Sequence, residues 1–156
     1  MVTLLLTRDE TIKLAENYAG KRLLCSESVL LALAAAQGAK SPLIPRIATG
    51  FGAGVGRRGE LCGALAGAVM GLGIKYGRDE GGFPQEGKRP YWFASELLDR
   101  FNDEHGKVRC FDLLGLDLTT EKGTEEYNRL GHWERTCRGF IREATGLAYD
   151  MLSKVD

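Results

Sequence analysis

Leu61-Cys-Gly-Ala-Leu-Ala-Gly-Ala-Val-Met-Gly-Leu-Gly-Ile74 is the longest uncharged apolar segment of the chain. Its fourteen residues are too few to span a bilayer, which takes ~20 residues as a helix, and they fit a helix in a protein core better. Gly77 is placed to end this helix with a left-handed cap. The segment therefore predicts a buried helix over 61–76 and gives no reason to expect a membrane as partner.

Three glycines recur every fourth residue in this segment, at Gly63, Gly67 and Gly71, so they lie on one face of the helix. Each costs about 1 kcal/mol relative to alanine in a helix interior, which implies that something approaches this face closely. One explanation is the backbone of another helix, since small residues permit a tight crossing. The other is a cofactor beside Cys62, which would make Gly63 and Gly67 cofactor-binding residues.

Helical patterns extend outward from the core segment in both directions. Thr7 stands three residues before Glu10, the spacing of a capping box, and predicts a first helix to about residue 21. Further helices are predicted over 29–36, over 45–49 and along an apolar stripe that ends at Gly106. The clearest stripe belongs to the last helix and comprises Trp133, Cys137, Phe140, Ile141, Ala144, Leu147, Ala148, Met151, Leu152 and Val155.

Loops and turns are predicted between these helices. Residues 78–89, which include Pro84, are charged and indicate an exposed loop, and residues 119–131 indicate a polar connection. No segment alternates apolar and polar residues for long enough to predict a strand. We therefore predict a single all-α domain over 1–156, a compact helical array or irregular bundle of about five to seven helices.

Composition limits the partners and the location of the protein. The 21 basic residues are balanced by 21 acidic ones, which gives no electrostatic reason to expect nucleic acid as a partner. The first residues resemble no signal peptide, because they lack a basic region and a small-residue cleavage site. We therefore expect a cytoplasmic protein, where disulfides are usually transient or catalytic. A homodimer is the default expectation for its assembly.

A glycine-rich segment, Gly50-Phe-Gly-Ala-Gly-Val-Gly-Arg-Arg-Gly59, leads into the core helix. Glycine loops before helices can bind phosphate, but no strand precedes this one and it lacks the G-x-x-x-x-G-K-[ST] pattern. Arg57 and Arg58 can instead raise the local potential and stabilise a thiolate at Cys62. Arg57 is accordingly a candidate cofactor-binding residue.

The four cysteines, Cys25, Cys62, Cys110 and Cys137, are separated by 37, 48 and 27 residues. No C-x-x-C pair is present, so the local signatures of zinc ribbons, thioredoxin-like proteins and c-type haem attachment are missing. The first three lie at predicted helix starts, where free N–H groups favour thiolate over thiol. The alternative is that the cysteines pack as inert small hydrophobic residues, especially Cys137 on its apolar stripe.

The two histidines each precede a cysteine by five residues, His105 before Cys110 and His132 before Cys137. Either histidine can serve as a metal ligand or a proton donor. The alternative is a solvated residue near a helix end.

Several segments in order resemble the C-GCAxxG-C-C family of putative redox-active proteins. They run from about residue 10 to the end of the chain. The matching segments are Cys25-Ser-Glu-Ser-Val29, Thr49-Gly-Phe-Gly-Ala-Gly-Val-Gly-Arg57, Glu60-Leu-Cys-Gly-Ala-Leu-Ala-Gly67, Gly73-Ile-Lys-Tyr-Gly77, Cys110-Phe-Asp-Leu-Leu-Gly115 and a last helix that opens near Cys137.

The resemblance implies that Cys25, Cys62, Cys110 and Cys137 are the functional cysteines of the family. The motif departs from the family pattern around Cys62. Leu61 replaces its glycine, Gly63 its alanine and Ala66 its final glycine, with Gly67 one position later. These exchanges among small or apolar residues leave the cysteines in place.

The leading hypothesis is a redox or electron-transfer protein with all four cysteines at one site, acting as catalytic residues or metal ligands. The cysteines bind an iron–sulfur cluster, or they cycle in pairs between dithiol and disulfide. The alternative is a helical partner-binding module with a structural zinc site or with inert buried cysteines. The redox partner is not identifiable from the sequence, and whether the protein is an oxidoreductase or a carrier stays open.

Overall fold

A computed structural model describes residues 3–82 and 88–154, and this part of the chain is helical. A 3₁₀ helix spans Arg46–Phe51 and a π-helical turn spans Trp133–Cys137. Within the described ranges the chain forms no β-strand, and a single antiparallel bridge joins Leu61 to Arg109. The α-helices are α1 Arg8–Gly20, α2 Cys25–Ala36, α3 Gly52–Val55, α4 Gly63–Tyr76, α5 Trp92–His105, α6 Cys110–Leu114, α7 Glu121–Leu130 and α8 Arg138–Leu152.

The all-α prediction is confirmed, but the predicted number of helices is wrong, because the described residues form eight. The short element α3 lies inside the segment that was predicted as a glycine-rich loop, and the positive φ values of Ala53, Gly54 and Val55 make it a left-handed turn rather than a regular α-helix. Helix α7 occupies the predicted polar connection and buries only Gly123. It therefore lacks the apolar stripe on which the other predictions relied. Its start is marked by Thr120, whose hydroxyl accepts a hydrogen bond from the N–H of Gly123 at 2.9 Å.

The start of α1 is the capping box that the sequence predicts. The hydroxyl of Thr7 accepts a hydrogen bond from the N–H of Glu10 at 3.2 Å, and the Glu10 carboxylate accepts one from the N–H of Thr7 at 2.7 Å. Two free backbone donors are thereby satisfied at the point where the helix begins.

Helix α4 is at the centre of the molecule, as its apolar sequence predicts. It packs mainly against α2 and α8. Leu65 and Leu72 of α4 are fully buried, together with Leu33 of α2 and Ile141 of α8. No helix in the described part of the chain is long and apolar enough to cross a membrane.

The glycine stripe of α4 faces α2. A Cβ added to Gly67 would overlap the carbonyl group of Ser26, and one added to Gly71 would meet the side chain of Leu33. Gly67 and Gly71 therefore allow the α4 backbone to approach α2 closely. This holds α2 and α4 in register, with the first turn of α2 beside the first turn of α4.

The C-terminal helix follows the predicted stripe with one irregularity at its start. Residues Trp133–Cys137 form a π turn that leads directly into α8. The predicted stripe member Val155 and the predicted loop residue Pro84 lie outside the described residues.

Candidate four-cysteine site

One cavity of about 530 Å³ is lined by all four cysteines. Each is a free thiol; Cys62 and Cys110 are buried, whereas Cys25 and Cys137 are partly exposed. The cysteines come from the first residue of α2, the residue before α4, the first residue of α6 and the end of the π turn. Much of the remaining wall is apolar or aromatic, and includes Leu113, Leu114, Leu118, Tyr127, Trp133 and Phe140.

The short bridge between Leu61 and Arg109 brings two of the cysteines together. The N–H of Cys62 donates to the carbonyl of Val108 at 2.9 Å, and the N–H of Cys110 donates to the carbonyl of Glu60 at 2.7 Å. Each cysteine directly follows a bridge residue in the sequence. The bridge therefore places the starts of α4 and α6 side by side.

Gly63 lines the cavity between α2 and α4. A Cβ at this position would overlap Sγ of Cys25 and approach the carbonyl oxygen of Phe51 to 3.0 Å. The glycine thus makes room for the thiol of another helix. Gly63 therefore lines the cavity, whereas Gly67 is outside the cavity wall and contacts α2, and the cofactor-binding role of both glycines stays a prediction.

A left-handed turn forms the wall of the cavity beside Cys25. The five consecutive residues from Ala53 to Arg57 have φ values of 53°, 70°, 61°, 60° and 69°. Three of them are not glycine, and each such residue costs about 1–2 kcal/mol in this conformation. The N–H of Ala53 in this turn acts to lower the pKa of Cys25, against the larger effect of burial. Strained backbone of this kind is often found at functional sites.

Gly54 occupies the tightest point of that turn. An added Cβ would come within 2.7 Å of both Cβ of Cys110 and the backbone nitrogen of Glu60. The N–H of Glu60 donates to the carbonyl of Gly54 at 2.9 Å. The turn is therefore packed directly against the bridge that positions Cys62 and Cys110.

Arg57 lines the cavity at the end of the turn. Its guanidinium donates a hydrogen bond to the hydroxyl of Thr124 on α7. The side chain thus joins the turn to α7, and this contact is with a neutral hydroxyl. The predicted role of Arg57 in binding a cofactor stays a prediction.

Cys137 ends the π turn and faces α7. The hydroxyl of Tyr127 donates a hydrogen bond to Sγ of Cys137 at 3.4 Å. The Tyr127 ring stacks on His132, with 5.8 Å between ring centroids, and Nδ1 of His132 lies 3.0 Å from the hydroxyl of Thr136. Single π turns inside helices are frequent at functional sites.

Burial dominates the electrostatics of the four thiols. It raises the pKa of Cys137 to about 11 and that of Cys110 to about 12, and it also raises the pKa of Cys25 and Cys62. Backbone N–H groups act in the opposite direction, those of Ala53 and Ser26 on Cys25 among them. The helix N-terminal donors thus favour the thiolate, as expected, but loss of solvation outweighs them and the net pKa of these thiols is raised.

His105 lies away from the cysteines and pairs with Glu143. Its ring packs against Phe101 and Phe140, with centroid separations of 4.4 and 5.3 Å. Ligand atoms of Glu104, His105 and Glu143 lie within 4.8 Å of one another, and the first of these side chains is exposed. Burial and the neighbouring carboxyl of Glu104 raise the pKa of Glu143. His105 therefore has a carboxylate partner and does not face the cavity.

Tyr127 is the functional candidate that sequence reasoning missed. It lies on α7, which was predicted to be a polar connection because its residues show no apolar periodicity. The helix had detectable boundary signals: Thr120 caps its start and Gly131 ends it with a left-handed conformation. Those signals predict a helix but do not reveal that Tyr127 faces a cysteine from another segment.

The fold and the cavity define a small helical protein whose four cysteines line one cavity. The model of the C_GCAxxG_C_C family, described as putative redox-active protein, matches residues 23–151, which include all four cysteines. The chain belongs to this family. Neither a curated protein nor a solved structure matches it.

Proposed function

We propose that the protein is an electron carrier whose four cysteines bind one iron–sulfur cluster. The observation that carries the proposal is the convergence of Cys25, Cys62, Cys110 and Cys137 on a single cavity of about 530 Å³. Four cysteine thiolates are the ligand set of [2Fe–2S] and [4Fe–4S] centres. When bound, such a cluster supplies reversible one-electron oxidation and reduction.

The donor set fits a cluster in its hydrogen bonding. Backbone N–H groups of Ala53 and Ser26 act to lower the pKa of Cys25, and those of Leu65 and Ala64 act to lower the pKa of Cys62, against the larger effect of burial. Donors of this kind stabilise negatively charged sulfur. They also tune the reduction potential of a cluster, as does an apolar wall around it.

The spacing of the sulfur atoms favours a cluster over a single zinc ion. Tetrahedral zinc with Zn–S bonds of ~2.3 Å holds its sulfurs about 3.8 Å apart. No three cysteine sulfurs among the described residues lie within 4.8 Å of one another. A zinc site therefore requires the four segments to move closer together, whereas a cluster separates its ligands by its own iron and sulfide atoms.

The cavity also bears on the dithiol alternative. Thiol–disulfide exchange proceeds through the thiolate, and burial raises the pKa of every one of the four thiols. Metal binding displaces the thiol protons, so the raised pKa values lower the apparent affinity at neutral pH, but a bound cluster keeps all four sulfurs as thiolates.

Anaerobic purification, followed by reconstitution with iron and sulfide, tests the proposal. We expect broad visible absorption that bleaches with dithionite, together with protein-bound iron and acid-labile sulfide. Each cysteine-to-serine variant should lower both contents. Zinc without colour would overturn the proposal in favour of the structural site. Metal-free protein with reversible thiol oxidation would favour the dithiol pairs, and metal-free protein with unreactive thiols would favour an inert scaffold.

A further inference from the structure

We propose that Tyr127 is a positioning residue that raises the reduction potential of the four-cysteine site through its hydrogen bond to Cys137. The inference rests on the proposed function and adds to it the residue that tunes the site. The observation behind this inference is the 3.4 Å hydrogen bond from the Tyr127 hydroxyl to Sγ of Cys137.

The Tyr127 hydroxyl differs from the other side-chain donors because its acceptor is a cysteine sulfur. In the described part of the chain, no other side chain donates a hydrogen bond to a cysteine sulfur. The other sulfur contacts come from backbone N–H groups at Cys25 and Cys62, which no substitution removes cleanly. Among the described residues, Tyr127 is therefore the one donor to sulfur that a single side-chain change can test.

The position of the hydroxyl is held from several directions. The Tyr127 ring stacks on His132 at an interplanar angle of 25°. His132 is itself held by Thr136 within the π turn that ends at Cys137. The cap at Thr120 fixes the start of α7. The donor and the acceptor thus lie on two elements that contact each other next to the hydrogen bond, which reduces the entropy lost in forming it.

The sign of the effect follows from charge. Reduction adds one electron to the site, and a hydrogen bond from a neutral donor strengthens as the acceptor becomes more negative. The bond therefore stabilises the reduced state more than the oxidised state, and the effect is larger in an apolar cavity than in water. Tyr127 keeps its proton throughout, since burial and the nearby sulfurs raise its pKa. In the test the electron comes from a dithionite-reduced mediator dye, and no bond to Tyr127 forms or breaks.

The test is a potentiometric titration of reconstituted wild type, Tyr127→Phe and Tyr149→Phe. Phenylalanine keeps the ring that stacks on His132 and removes only the donor. The Tyr149 hydroxyl donates to the carbonyl of Leu6 at 2.7 Å, away from the cavity, which makes Tyr149→Phe the matched control. We expect Tyr127→Phe to change the ratio of oxidised to reduced protein about three- to tenfold toward oxidised at a fixed potential. This corresponds to a potential lower by roughly 30–60 mV for one electron. Tyr149→Phe should leave the potential unchanged.

A second variant covers the case in which Tyr127→Phe fails to assemble the site. A ring-fluorinated tyrosine at position 127 has a more acidic hydroxyl, donates a stronger hydrogen bond and should raise the potential above that of wild type. An unchanged potential in an assembled Tyr127→Phe protein, or a fall with the fluorinated residue, would overturn the inference and leave the proposed function standing. A wild-type protein that binds no iron and sulfide would instead overturn the proposed function, and this inference with it.

Discussion

Gly63 on α4 leaves room for the thiol of Cys25 on α2, because a Cβ at that position would overlap Sγ of Cys25. The helix that carries the family motif thus shapes the site by a missing side chain as well as by Cys62. Gly73 lies further along the same helix, and an added Cβ there would meet nothing within 4 Å. The two glycines form a matched pair that separates the cost of glycine in a helix from its role in the site.

Gly63→Ala should displace Cys25 and reduce the iron and sulfide bound after reconstitution at least several-fold. Gly73→Ala should leave the bound iron unchanged and stabilise the protein by about 0.5–1 kcal/mol, because alanine loses less backbone entropy in a helix. Iron analysis and urea denaturation of both variants check this. Equal iron content in the two would contradict the role of Gly63.

The left-handed turn offers a second matched pair. Gly54 and Gly56 have φ values of 70° and 60°, so alanine is strained by a similar amount at both. Only Gly54 meets close neighbours, at Cys110 and Glu60, since a Cβ on Gly56 has nothing within 4 Å.

We therefore expect Gly56→Ala to lower the free energy of unfolding by about 1–2 kcal/mol and to retain the site. Gly54→Ala should cost more than Gly56→Ala, because overpacking adds about 1–3 kcal/mol, and it should impair reconstitution. Denaturation and cluster content measured in parallel test both statements. If the two variants behave alike, the contact of Gly54 with Cys110 does not matter for the site.

Much of this site was predictable, and the rest depended on contacts between distant segments. The cysteines at the starts of α2 and α6, and the one just before α4, follow from local helix signals. The glycine spacing in α4 predicted that another part of the molecule approaches this face of the helix closely. The bridge between Leu61 and Arg109 was not predictable, because a two-residue pairing leaves no periodic pattern.

The left-handed turn and α7 were missed for different reasons. In the turn, three residues other than glycine adopt positive φ values, against their intrinsic preference, so local propensity argues for an ordinary loop. Helix α7 buries too little apolar surface to show a stripe. Tyr127 could therefore not be placed beside Cys137 from the sequence.

The metal-free protein should lose stability at alkaline pH. Burial raises the pKa of Cys137 to about 11, whereas a thiol in an unfolded chain ionises near pH ~8.5. Between these values the folded state binds more protons than the unfolded state, so the free energy of unfolding falls as pH rises. The stabilising contribution is complete below about pH 8.5 and is lost by about pH 11, with a slope of up to about 1.4 kcal/mol per pH unit.

Urea denaturation of metal-free wild type and Cys137→Ala between pH 7 and pH 10.5 measures this contribution. The variant should show the shallower decline above pH 8.5, and the difference between the two proteins should be constant below it. A parallel decline over the whole range would show that Cys137 ionises in the folded protein as readily as in the unfolded chain.

Iron K-edge X-ray absorption of the anaerobically reconstituted protein is the most direct measurement of the central claim. A cluster held by Cys25, Cys62, Cys110 and Cys137 predicts sulfur as the only neighbour type in the first shell, with a second iron atom close by. Iron surrounded by nitrogen or oxygen, or isolated iron with no iron neighbour, would contradict the assignment of the four cysteines to one cluster.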